Sequence, residues 1–231
     1  NVNISLGVIT VPTANILATI SGTVTNCASM PVTNGYIIIQ EGYVFTRYPL
    51  NNIGAYSFNK IFCSFPQTVL LIGEDAATQQ QSANVTYVIN AGVNTVANIQ
   101  ACGVTSQQFI TYTINSTPYS FTSPADTFSY FNSLQTWISL TGYKPTPPSS
   151  NVSFQMTNAG VGVGSSQTLQ NFFASQILDS IHITTPILVN ITEYGAVGQF
   201  TAGNFTGIFT GAAPANTLYN VSCNFRLRRN N

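Results

Sequence analysis

Apolar and polar residues alternate in short runs along most of the chain, and Gly, Pro or Asn closes most of the runs. A two-residue period is the signature of a half-buried β-strand. In the first half it predicts strands over 2–11, 16–25, 35–41, 56–61, 68–73, 84–89 and 95–102. The turns between them are marked by Asn34-Gly35, by 51–54 and by Ala91-Gly92. In the second half the same reading predicts strands over 108–114, 118–122, 136–140, 152–157, 181–183, 187–194, 198–208 and 217–226. One stretch breaks the period. Ser165 or Ser166 followed by Leu169, Phe172, Phe173 and Ile177 has helical spacing, with the serine as N-cap. The expected fold is therefore all-β: two antiparallel β-sandwich domains in tandem, over 16–103 and 104–231. An extension strand in 1–15 precedes them, and one short helix sits in the second domain. The proline-rich stretch 144–150 reads as an exposed loop inside that domain.

Charge is the unusual quantity. Only 5% of the 231 residues are Asp, Glu, Lys or Arg, six acids against six bases, where ordinary domains carry roughly 25%. No field of that size steers nucleic acid, so no nucleic-acid partner is expected. The surface must be built from Asn, Ser, Thr, Gln and Gly, and near-zero net charge favours association. No run reaches the roughly 18 apolar residues of a membrane span. The chain opens at Asn1 rather than Met, which reads as a processed form.

Residues 16–103 resemble the carboxypeptidase-regulatory-like (transthyretin-like) sandwich of Bacteroidetes-type surface proteins. The likeness lies in Ile20-Ser21-Gly22-Thr23-Val24, in the run from Pro31 to Tyr36, in Gly54-Ala55-Tyr56-Ser57-Phe58, and in the exit from Val93-Asn94 to Cys102-Gly103. Gly22 would relieve crowding at a strand bend, while Gly35 and Gly54 would permit turns. The resemblance implies a non-catalytic spacer or accessory module and carries over no active-site residue. Residues 104–231 resemble the C-terminal part of similar bacterial surface lipoproteins, through 191–195, 203–207 and the ending 225–229. An extracellular, cell-surface location is the corresponding expectation.

The segment 1–11 places Val2, Ile4, Leu6, Val8 and Thr10 on one strand face, and it resembles the exit strand at 93–102. Two alternatives follow. The strand completes the sandwich of another molecule, giving a head-to-tail homopolymer with those five residues as the subunit interface. Or it folds back on its own chain, or links to an upstream module. The leading expectation is thus a structural subunit of an extracellular filament or surface assembly. The alternative is a monomeric adhesin or carbohydrate-binding lipoprotein fragment, with an aromatic patch near Trp137.

Chemistry-bearing residues are sparse. Cys27, Cys63 and Cys102 allow one disulfide between two of them, and Cys223, inside an alternating run, reads as a buried free thiol. With one histidine and no Cys-x-x-Cys pair, no metal or cofactor is expected. Sequons for N-glycosylation stand at Asn3, Asn84, Asn115, Asn151, Asn204 and Asn220, and a further one at Asn190 is a poor acceptor if its strand is buried. His182 lies near Asp179, but no Gly-x-Ser-x-Gly elbow supplies a nucleophile. The glycine-rich 160–166 lacks the lysine of a phosphate loop and reads as a tight loop into the helix. Glu74 and Asp75, adjacent on a strand, would face opposite ways. Arg226, Arg228 and Arg229 read as a solvated strand end. No catalytic residues are assigned, and the chain is expected not to be an enzyme.

Overall fold

The computed structural model describes residues 16–42, 44–133, 136–177 and 180–229. The segment holding Val2, Ile4, Leu6, Val8, Thr10 and Asn3 lies outside them. The described chain is all-β and divides into two compact units, with the boundary between Ser106 and Gln107.

Unit 1 holds ten strands: β1 Leu17–Asn26, β2 Gly35–Glu41, β3 Val44–Pro49, β4 Ala55–Ile61, β5 Gln67–Asp75, β6 Gln80–Gln81, β7 Val85–Ile89, β8 Gly92–Thr95, β9 Ile99–Ala101 and β10 Val104–Thr105. One sheet sets β4 antiparallel to β1, with β8 and β9 along the other side of β1. The second runs β10-β6-β5-β2-β3, with β7 added on β5. Between them lies a core that includes Ile20, Val24, Ile37, Ile39, Leu71, Ile89 and Ile99. The sandwich is not wholly antiparallel, because β8 and β9 run parallel to β1. The chain crosses from β7 to β8 through Asn90-Ala91-Gly92, so the exit strands return in the direction of the entry strand.

Asn94 holds that crossover. Its buried amide accepts from the Asn90 N–H at 2.9 Å and donates to the carbonyls of Asn90 (2.8 Å) and Gly92 (3.1 Å). Loss of these bonds in Asn94→Ala is expected to cost about 2 kcal/mol, from a net of roughly 1 kcal/mol per bond offset by partial rehydration. Urea unfolding monitored by hydrogen exchange in β1 would read this; an unchanged midpoint would show that the turn holds without its clamp.

Two glycines divide as their environments dictate. Gly54 adopts φ +73° in the turn before β4, where its glycine character is needed. Gly35 lies within β2, and its role is space: a Cβ there would stand 2.0 Å from the Glu74 carbonyl oxygen.

Unit 2 also holds ten strands: β11 Phe109–Ile114, β12 Thr117–Thr122, β13 Thr127–Asn132, β14 Trp137–Lys144, β15 Ser150–Thr157, β16 Ser166–Ala174, β17 Ile181–Ile183, β18 Leu188–Tyr194, β19 Phe200–Gly211 and β20 Leu218–Arg228. They form one sheet in the order β12-β11-β20-β19-β18-β16-β15-β14-β13, with β17 on β19. β16 is the corner: its start pairs with β18 and the rest with β15. Folding there brings two layers face to face. Phe154 of β15 meets Phe205 at 5.4 Å and Phe225 at 5.0 Å, and Phe172 meets Phe209 at 5.3 Å.

The expected helix is a strand. β16 pairs Phe154 with Phe172 and Gln155 with Asn171, but Met156 with Leu169, so Gln170 is an extra residue in a β-bulge. The bulge puts Leu169 and Phe172 on the same inward side although they are three residues apart, a spacing that mimics a helix. Ser165 closes a tight turn instead of capping a helix, its hydroxyl donating to the Gly162 carbonyl at 2.7 Å.

The arginines are also not a solvated strand end. β20 lies between β11 and β19, and Arg226 is buried. Its guanidinium pairs with Glu193 at 2.7 Å and stacks 3.7 Å above the buried Phe200 ring, with Arg228 at 4.7 Å. Arg229 stacks on Tyr194 at 3.9 Å. Cation–π stacking keeps these charges against the protein where a solvated end would leave them in water.

Candidate functional site

The outward face of β13–β16 is set by strand alternation. Tyr130, Leu140, Phe154 and Phe172 point to the core, so their neighbours point away. Four of those neighbours are aromatic. Phe131 (49% exposed), Tyr143 (44%) and Phe173 (48%) are open to solvent, and the half-buried Trp137 leans on Phe131 with ring centroids 5.2 Å apart. Phe131 pairs with Ser139, and Trp137 is two residues before Ser139, which brings the two rings together diagonally across adjacent strands.

Between the rings lie only hydroxyls and amides. Ser129 pairs with Thr141 and Thr141 with Ser153; Ser139 pairs with Gln155, and Gln155 with Asn171. Asn171 donates its amide to Gln155 Oε1 at 3.3 Å. No Lys, Arg, Asp or Glu belongs to these rows. Such a face offers apolar rings for stacking and groups that both donate and accept hydrogen bonds.

Trp137 was legible in the sequence as a candidate, whereas Phe131 and Tyr143 were not singled out and Phe173 was assigned to a core stripe. Aromatic residues on both faces of β13 hide Phe131 in the sequence; the pairing of β13 with β14 shows that Phe128 and Tyr130 face the core and Phe131 does not.

The titratable residues elsewhere are engaged structurally. Glu74 and Asp75 are both buried at the end of β5; Glu74 bonds Arg47, and Asp75 accepts from the Ala77 and Thr78 N–H groups of the following turn. Lys60 pairs with Glu41 at 3.3 Å. Asp126 accepts from the Thr122 N–H at 2.8 Å. His182 is exposed on β17, and Asp179 lies outside the described residues. Among the described residues no three of His, Cys, Asp and Glu come together as metal ligands would.

Cys27 and Cys102 are disulfide-bonded, and Cys63 is an exposed free thiol. Cys223 is wholly buried on the inner side of β20, and burial pushes its thiol pKa far above the ordinary value, so it stays protonated. Of the sequon asparagines, Asn84, Asn115, Asn190 and Asn220 are exposed and Asn151 and Asn204 half-buried. Asn190 is thus open although it lies in a strand. The Asn115 side chain is engaged, accepting from the Asn220 N–H at 2.9 Å.

No family model matches the chain, and no curated protein matches it. Among solved structures the chain is similar to a candidate carbohydrate-binding protein from Bacteroides uniformis, at 11% identity over 91% of this chain and 98% of that one, with a TM-score of 0.29. A superposition that loose assigns neither a fold family nor a ligand.

Proposed function

We propose that this chain is an extracellular adhesive protein that binds a neutral glycan on the outer face of β13–β16, acting by binding and not by catalysis. The observation that carries the reading is the exposed Phe131–Trp137 pair set with Tyr143 and Phe173 among hydroxyls and amides. A sugar ring has an apolar face of C–H groups and an edge of hydroxyls. The aromatic rings match the first, and Ser, Thr, Asn and Gln match the second. A ligand bearing carboxylate or sulfate would find no cation on this face. Polymerisation through residues 1–11 is not part of the reading, because nothing in the described residues supports it. The Cys27–Cys102 bond supports an oxidising, extracellular setting. Unit 1, by its resemblance to regulatory-like sandwiches, is a non-catalytic accessory module.

The test is a neutral-glycan array probed with the full chain and with Trp137→Ala. Trp137 is half-buried on the outward face, so the variant is expected to fold. Removal of an aromatic anchor is expected to weaken binding about 30-fold, or roughly 2 kcal/mol. Affinity should change little with salt, since no ion pair is formed. Failure of the wild-type chain to bind any sugar would remove the reading, as would undiminished binding by Trp137→Ala.

A further inference from the structure

The opposite layer of unit 2 carries two adjoining uncharged rows on its outer face, beside a row in which Arg226 pairs with Glu193. Registration puts Ser120, Thr111 and Asn224 in one row across β12, β11 and β20, and Pro118, Thr113 and Ser222 in the next. Over these six residues lies a hollow of about 420 Å³, with Tyr119 also lining it. That is within the ~300–1,000 Å³ of small-ligand sites. Tyr119 is fixed by stacking on the buried Tyr112, ring centroids 5.2 Å apart.

We infer that this hollow is a second glycan-binding site, separate in its residues from the aromatic face, and that it takes one uncharged polysaccharide chain. The inference shares its ligand class with the function proposed above and rests on that reading for it. Its own observations are the hollow and the chemistry of the row beneath it. The first row continues in register from Asn224 to Asn204 on β19, to Asn190 on β18 and to Ser166 on β16. Six strands therefore carry an unbroken line of hydroxyl and amide side chains. At a strand spacing of ~4.8 Å the line is on the order of 24 Å long, enough for several sugar units in a row. Each group can both donate and accept, which suits sugar hydroxyls whose hydrogens rotate. Pro118 adds an apolar wall for a sugar face. Of the cations near the row, Arg226, two residues from Asn224 on the same face, is paired with Glu193 at 2.7 Å, and the Lys144 ammonium donates to the Ser120 carbonyl at 3.2 Å.

The two sites lie on the outer faces of two layers packed back to back, so one molecule can hold two chains. Binding two chains at once raises avidity and cross-links the polysaccharide. That is an adhesive function which a single site cannot supply.

The full chain would be run in native gels containing a soluble xylan, galactomannan or mixed-linkage glucan, and mixed with beads coated in the same polysaccharide. Four proteins are compared: wild type, Phe131→Ala/Trp137→Ala, Thr113→Val/Asn224→Ala, and the combined variant, each checked for folding by circular dichroism. The wild type is expected to be retarded and to agglutinate beads. Each double variant should still be retarded, but at least about 30-fold more weakly because two-site avidity is lost, and should fail to agglutinate. The combined variant should migrate as in an empty gel. Loss of all retardation in Phe131→Ala/Trp137→Ala would overturn the second site and leave the first standing. Wild-type agglutination by Thr113→Val/Asn224→Ala would overturn it as well. A wild type retarded by none of the polysaccharides would remove both sites.

Discussion

Replacing Phe172 with alanine is expected to cost about 4 kcal/mol of stability, while the same change at the adjacent Phe173 should cost under about 1 kcal/mol. The two phenylalanines differ only in the face that β16 gives them. Phe172 is 4% exposed and packs against Tyr112, Phe205 and Phe209, with ring centroids 5.9, 5.9 and 5.3 Å away. Its removal leaves a cavity between two layers that cannot collapse without moving both, so the transfer and cavity contributions add. Phe173 is 48% exposed on the opposite side. Its loss should be felt in glycan affinity more than in folding. Trp137 is the single tryptophan of the chain and lies in unit 2, so its fluorescence reports urea unfolding of the unit concerned. With whole-domain stabilities of 5–15 kcal/mol, a loss of about 4 is readily measured. Equal midpoints for the two variants would place both rings alike and would contradict the strand and its bulge.

That pair of residues also shows where a sequence stops being readable. The two-residue period identifies most strands, because alternation is a local property that survives any packing. It placed β11, β12, β15, β19 and β20 within two or three residues of their ends. It missed β3, β8 and β13, and the two-residue β6 and β10. None of the six residues of β3 is buried, so the strand lacks a clean apolar face. β13 carries aromatic side chains on both faces, so its period is masked. β16 was misread because the bulge opposite Gln155 imposes a three-residue step that only the partner strand explains. The packing of the arginines was missed for a similar reason: cation–π stacking of Arg226 and Arg228 on Phe200 depends on which strand β20 lies beside. The aromatic face was half legible. Trp137 stands out by rarity, but Phe131 joins it only through the pairing of β13 with β14, and the hollow joins the local β11–β12 hairpin to β20 through a register linking residues more than 100 positions apart, as Thr111 and Asn224 are.

Removing the Cys27–Cys102 disulfide is expected to be as costly as any core truncation, and the cost should fall on unit 1 alone. The bond joins residues 75 positions apart, closing almost the whole of unit 1 into one loop. In the chain-entropy account, a loop of that length removes enough freedom from the unfolded chain to contribute about 4 kcal/mol. The native side is arranged to receive it. β9 lies parallel to β1 and pairs Asn26 with Ala101, so the sheet itself brings the two cysteines together at the end of that ladder. The hydrogen bonds of the ladder remain when the sulfurs are replaced, and the change therefore acts mainly through the unfolded state. For a unit of about 90 residues, the melting temperature of Cys27→Ser/Cys102→Ser should fall by roughly 15–30 °C. The measurement is made in a Cys63→Ser background, because the exposed Cys63 thiol is able to enter exchange with the bond. Hydrogen exchange in β1 and β5 reports unit 1, and Trp137 fluorescence reports unit 2. The expected result is early exchange in the first with no change in the second. Protection of β1 and β5 equal to that of the parent would mean that the ladder alone holds the two ends of unit 1, and that the bond adds nothing to its stability.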